Sequence, residues 1–335
     1  MRDEVTKHIN EHFNINPCHL TYGGGPAGTT ALRGHIASFA CCVNEVFHPS
    51  SPVKANHIAI CNGAGPAVNN FCFCVGEPGD GILLSKPLYT RFFGDIEHGS
   101  KLKLVQVPTE GVDPSHRSTR SILQNIDLLS DEVYAQSWLP SKDCPEPEPF
   151  VSILNFDLKK YINPALIQVI YAMSKDLCAN GIRVGCIISP FNDELLAAFK
   201  SISGFTRAGQ LAEQVWLNLL EDRSSLDWYY PEMRRRLAAS YDYVIERLEE
   251  QAISYSPAST GVCIWIDLGE YLERDTQEAE LALDWRLAKA KEWIAMGATF
   301  GSEKHGNYRI TFATPRADLE LGLNRLFGIL RDIRE

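Results

Sequence analysis

Two spacings of hydrophobic positions divide the chain. Through about residue 200, short apolar runs alternate with stretches of helical period. The runs at 57–61, 81–85, 102–107, 126–130, 166–172 and 183–189 predict strands. Strands separated by helical stretches predict an α/β fold: a mostly parallel central sheet with helices on both faces. Beyond Gly204 the pattern lengthens. Met233, Leu237, Tyr241, Val244 and Leu248 form one apolar stripe, with charge on the opposite face. The run "GVCIWIDL", a helix around residues 285–293 and a last strand, "YRITFA", complete a smaller α+β unit. We therefore expect an N-terminal arm over residues 1–25, a large domain over 26–205 and a small C-terminal domain over 206–335. The segment "WLPSKDCPEPEPF" reads as a proline-rich surface loop.

One apolar run ends unusually. In "YAMSKDLCANGIRVGC" a buried strand stops at Lys175, and Arg183 follows eight residues later behind Gly181. A lysine at a strand end is most often a solvated terminus. Here strands are expected on both sides, which puts Lys175 at the mouth of a sheet, where α/β folds place their chemistry.

Composition narrows the possibilities. The 335 residues suffice for two domains with a sizeable core. No apolar run is long enough to span a bilayer, and the charged start "MRDEVTKHINEHF" lacks the apolar centre of a signal peptide. A net charge of −10 argues against nucleic acid or an anionic membrane as partner, but leaves room for a small anion held by local arginines. The ten cysteines contain no CxxC pair, and Cys61, Cys72, Cys74, Cys186 and Cys263 lie in apolar stretches. Free thiols in a reducing, cytosolic compartment are the expectation. His8, Glu11 and His12 have helical spacing but no third ligand nearby in sequence, so a solvated helix face is expected rather than a metal site.

Four further stretches carry possible chemistry. "LTYGGGPAGTTALRGHIASF" is a glycine-rich loop before a helix, and "ICNGAGPAVNN" is a strand, a small-residue turn and a helix start. "SDEVYAQS" puts Asp131 and Tyr134 at a strand end, and "NYRITFAT" puts Arg309 on a strand. Each alone has a plain structural explanation. "YGGGPAG" lacks the Lys-Ser/Thr of a nucleotide P-loop, which excludes that assignment.

In order, these stretches resemble the fold-type I pyridoxal-phosphate enzymes, class I/II aminotransferases, and within them the 1-aminocyclopropane-1-carboxylate (ACC) synthase-like branch of fungal type. "YAMSKDLCANGIRVG" is similar to the family's Y-S-x-S-K-D-x-G-x-x-G-x-R-x-G, "DEVY" to its D-E-I-Y, and "YRITFA" to its F-R-x-x-F-A. "GEPGDGILLSKPLYTRF" resembles D-P-G-D-x-x-L-x-P-x-Y-Y-x-x-F. The resemblance covers nearly the whole chain. The lysine and arginine motifs are highly specific, whereas the glycine loops are weak alone.

The resemblance implies a dimeric pyridoxal 5'-phosphate enzyme acting on an α-amino acid. The reaction after Cα deprotonation stays open among transamination, γ-elimination and C–S cleavage, the last a tailoring role in secondary metabolism. It also implies roles. Lys175 would carry the cofactor covalently and shuttle the Cα proton. Asp131 would face the pyridine nitrogen, Tyr134 the ring's phenolic oxygen, and Tyr89 the ring face. Arg183, Ser174 and the N–H groups of Ala64 and Gly65 would hold the phosphate, with Tyr22 reaching it from the neighbouring subunit. Arg309 would take the substrate α-carboxylate in a bidentate fork.

The chain also departs from the family pattern. It begins where the family already has a segment containing G-x-A-E-N. Nothing matches the N-P-x-N-P-x-G region: the chain runs from "VPTEGVDP" through "SHRSTRSILQNI" to "DLLSDEVY", where the family has a central strand and a cofactor-binding asparagine. "SHRSTRSILQN" is expected to serve as a short crossover helix. Ala172 replaces a phosphate-binding serine, and Gly65-Pro66 a hydroxyl-bearing pair. An incomplete gene model and a catalytically impaired family member both account for these departures.

Overall fold

A computed structural model describes residues 1–42, 49–108 and 126–335. Its helices are α1 (Arg2–His12), α2 (Thr30–Cys42), α3 (Ala64–Val75), the single turn α4 (Met173–Asp176), α5 (Asp193–Ile202), α6 (Gln210–Glu221), α7 (Arg223–Glu250), α8 (Gln277–Lys289) and α9 (Arg316–Arg334). The strands of the N-terminal part are β1 (Ile58–Cys61), β2 (Gly81–Lys86), β3 (Lys103–Pro108), β4 (Leu128–Asp131), β5 (Ile167–Ala172) and β6 (Gly185–Ile188). Those of the C-terminal part are β7 (Ser254–Ser256), β8 (Cys263–Asp267), β9 (Ala295–Met296) and β10 (Asn307–Thr311).

The first sheet has the order β1-β6-β5-β4. β1, β5 and β6 are buried along their whole length, which explains their continuous apolar runs, while β4 at the sheet edge is half-exposed. Ile58 and Ile60 of β1 join a core with Leu32, Ile36 and Phe39 of α2 and Trp216 of α6. The alternate residues Ala59 and Cys61 meet Phe71 and Cys72 of α3 and Leu196 and Phe199 of α5 on the other face. Strand period two thus feeds two helical layers. Three strands point one way, while β6 runs antiparallel to both β1 and β5. The residues linking Ala172 to Gly185 hold only the single turn α4 and no full crossover helix of the kind a parallel neighbour uses.

β2 and β3 form a separate parallel pair. Among the described residues β4 pairs only with β5, and β2 only with β3. Leu83, Val105 and Val107 of that pair are exposed. The expected crossover helix in "SHRSTRSILQN" lies outside the described residues.

The C-terminal sheet, β7-β8-β10-β9, is antiparallel throughout. The predicted stripe of α7 is buried in full, together with Ile264 and Ile266 of β8 and Leu323 and Leu326 of α9. The helix expected around residues 285–293 starts earlier and ends at Lys289, and both Trp285 and Trp293 are exposed. Its buried positions are Glu280, Leu283 and Leu287. No helix of the described residues is long and apolar enough to cross a membrane.

Candidate active site

β5 is buried along its whole length and delivers the chain to α4, the turn that carries Lys175. Asp176 pins this turn from behind. Its carboxylate accepts from Ser137 Oγ at 2.6 Å, Gln136 N–H at 3.0 Å and Tyr171 Oη at 3.1 Å. Those contacts tie α4 to the turn after β4 and bring Lys175 beside Tyr134, with Nζ 5.5 Å from the ring centroid. Half-buried Lys175 makes no hydrogen bond or ion pair among the described residues. Its amine is free for a covalent partner.

Asp131 ends β4 and accepts from Val133 N–H at 3.3 Å. The surrounding protein pushes its carboxyl up, while the Val133 N–H and the Lys175 charge draw it back. The residue remains solvent-accessible at the strand end, so open water limits the rise. Tyr134 is raised well above the ordinary phenol by burial, then by Cys263, with Arg309 opposing. A neutral hydroxyl able to donate is the result. Tyr89 and Asp131 belong to the same electrostatic neighbourhood, and Tyr89 packs edge-on against Phe92 at 5.5 Å.

Arg183 opens toward the start of α3. Its guanidinium donates to Asn180 O at 2.8 Å and Asn62 O at 3.4 Å. Gly63, at φ +99°, lets the chain pass over it: a Cβ there would lie 2.4 Å from Arg183 Nη2. α3 has no side-chain cap, so the N–H groups of Ala64 and Gly65 stand at an uncapped helix N-terminus beside an arginine. Unpaired helix N–H groups beside a guanidinium are an arrangement that favours an anion. Asp95 crowds it, its carboxylate 2.9 Å from where a Gly65 Cβ would stand. Burial raises that carboxyl, and Arg91 and Arg183 oppose the rise.

Arg309 arrives from the C-terminal sheet, where it pairs with Trp265 and Ala295. Its guanidinium carbon lies 4.3 Å over the Phe300 ring, and its Nε is buried without a hydrogen-bond partner. An aromatic floor and an unpaired donor make a fork poised for a carboxylate.

The structure thus gathers Lys175, Asp131, Tyr134, Tyr89 and Arg309 in one neighbourhood, and Arg183 with Ala64 and Gly65 in an adjoining one. Ser174 sits half-buried beside Lys175. Tyr22 is exposed, and the contact it makes is with Arg207, whose guanidinium lies 5.4 Å from its ring. Asp176, Ser137, Cys263 and Phe300 were given no place in the site from the sequence. Only Asp176, next to Lys175, had a signal there; the others depend on tertiary contacts.

The family model for aminotransferase class I and II matches residues 109–326. The chain belongs to this family. Members of the family depend on pyridoxal phosphate, and the residues present fit that group: an unpaired lysine, a carboxylate at a strand end, and an arginine at an uncapped helix N-terminus. Similar aminotransferases include the probable aminotransferase sirI of Leptosphaeria maculans, 25% identical over 97% of this chain and 86% of that protein. The ACC synthase-like protein 1 of Arabidopsis thaliana is 25% identical over 82% of this chain, which spans 63% of that relative. Among solved structures, aspartate aminotransferase from Thermus thermophilus with maleate superposes with a TM-score of 0.77 at 17% identity, over 98% of this chain and 88% of the other. That likeness establishes the aminotransferase fold, of pyridoxal-phosphate fold type I.

Proposed function

We propose that this chain is a cytosolic, homodimeric, pyridoxal-phosphate-dependent transferase or lyase that deprotonates α-amino acids at Cα, with Lys175 as both cofactor anchor and proton carrier. The convergence of Lys175, from the first sheet, with Arg309, from the second, carries this proposal, because a single α-amino acid needs both at once. When bound, pyridoxal phosphate supplies an electron sink for the Cα carbanion. Arg183 and the N–H groups opening α3 bind its phosphate, with Ser174 beside them. Asp131 would hold a proton at the ring nitrogen, Tyr134 would donate to the phenolic oxygen, and Tyr89 would pack against the ring. Arg309 binds the α-carboxylate and orients the Cα–H bond toward Lys175 Nζ, which removes the proton. Tyr22, exposed on the arm, reaches the phosphate of the second subunit. The resemblance to fungal aminotransferases supports a tailoring role in secondary metabolism.

Solvent exchange of the Cα hydrogen tests the proposal, because every reaction open to this family passes through that step. Loaded with pyridoxal phosphate in D2O, the wild type is expected to exchange the Cα hydrogen of an α-amino acid, and Lys175→Ala is not. Exchange surviving in Lys175→Ala, or absent from the loaded wild type across a panel of amino acids, contradicts it.

A further inference from the structure

His8 and His12 lie one turn apart on α1, and the fold sets Asp222, the residue that opens α7, against them. The sequence pattern lacked a third ligand; tertiary structure supplies it from 214 residues away in the case of the His8 contact. One ring nitrogen of each histidine and one carboxylate oxygen lie within 4.8 Å of one another. His8 Nε2 and Asp222 Oδ2 are 3.2 Å apart. Two ligands bound to tetrahedral zinc at about 2.0–2.1 Å stand about 3.3 Å apart, so this edge needs almost no movement.

The supporting contacts follow the pattern of metal sites. His12 Nδ1 lies 3.0 Å from His8 O, which fixes the tautomer and leaves the Nε2 lone pair outward. Asp222 is oriented by Ser225 N–H at 3.0 Å, Ser225 Oγ at 2.6 Å and Ser224 Oγ at 2.8 Å. A cavity of about 160 Å³ adjoins the cluster, lined by His8, His12, Ser225 and Tyr229. His8 is only 8% exposed, and its Nδ1 has no hydrogen-bond partner. Tyr229, on the same cavity wall, has the Cys178 thiol as its hydrogen-bonding neighbour. Buried polar atoms around a cavity are accounted for when that cavity holds a polar occupant.

We propose that His8, His12 and Asp222 bind a divalent transition-metal ion of the zinc or nickel class, which fastens α1 to the start of α7. Water completes the coordination from the cavity side. On binding, the His8 proton moves from Nε2 to Nδ1, where cavity water accepts its hydrogen bond. The ring of His12 is exposed and closes the remaining distance.

Equilibrium dialysis against Ni2+ tests the site on the full chain, since nickel suits imidazole and the cysteines compete less for it than for zinc. The wild type is expected to bind one ion per chain at micromolar free metal. His12→Gln, at an exposed position, and Asp222→Asn, which keeps a good helix cap, are each expected to weaken it at least tenfold. His98→Gln, on a distant exposed turn, should leave it unchanged. Zn2+ should also raise the unfolding midpoint of the wild type but not of His12→Gln. Binding by folded His12→Gln as tight as by the wild type overturns the site, as does the absence of stoichiometric binding.

Discussion

Asp176 directly follows Lys175 and is fully buried, accepting from Ser137, Gln136 and Tyr171. Burial raises its carboxyl from the ordinary 3.8 to about 7, against the pull of those hydrogen bonds and of Arg234. In the unfolded chain the group ionises near its ordinary value, whereas in the folded chain it keeps its proton until about pH 7. The folded state therefore binds more protons between these limits, and stability must fall as pH rises through that window. The contribution is fully present below about pH 4 and lost above about 7, a change of at most about 4 kcal/mol. Urea unfolding of the wild type from pH 4.5 to 8 is expected to show this decline, and Asp176→Asn to flatten it. An equal slope in the variant contradicts the assignment.

At the scale of elements, β4 and β2 each have one unpaired edge among the described residues, and between them runs the stretch where the family has a central strand. Ala172 opens α4 without a side-chain cap, since it has no hydroxyl to offer. If the family's asparagine contact and the hydroxyl that Ala172 lacks both go unreplaced, pyridoxal phosphate loses two polar contacts, each worth roughly 0.5–3 kcal/mol, so affinity is expected to fall by about one to four powers of ten. Spectroscopic titration is expected to show weak binding by this chain and tighter binding, with faster turnover, once the family segment is restored after Pro108. Equal affinity and turnover in both contradict that expectation. All six predicted strands of the first part are present within about two residues: β1, β5 and β6 declare themselves as apolar runs because both faces are buried, whereas β2 and β3 alternate half-buried and exposed positions. The reversal of β6 was less legible, since direction depends on connection length and not on hydrophobic period. Equally hidden was the split between the two sheets, which no local pattern records.

Across the whole molecule, the site depends on two sheets meeting: Lys175, Asp131 and Tyr134 come from one, Arg309 from the other. The motifs around Lys175 and Arg309 were legible through their resemblance to the family's patterns, each a run of adjacent residues in the chain. Phe300 beneath Arg309, and Asp222 against His8, were not, because such pairs share no sequence neighbourhood. Lys86 provides the internal control. It too ends a strand, yet its amine is held 2.9 Å from Glu303 in a cavity of about 520 Å³, away from Arg183 and the start of α3. Borohydride reduction of the cofactor-loaded chain, followed by peptide mapping, tests the central claim most directly. The account predicts a reduced pyridoxyl group on Lys175, lost in Lys175→Ala and retained in Lys86→Ala; a label on any other lysine would contradict it.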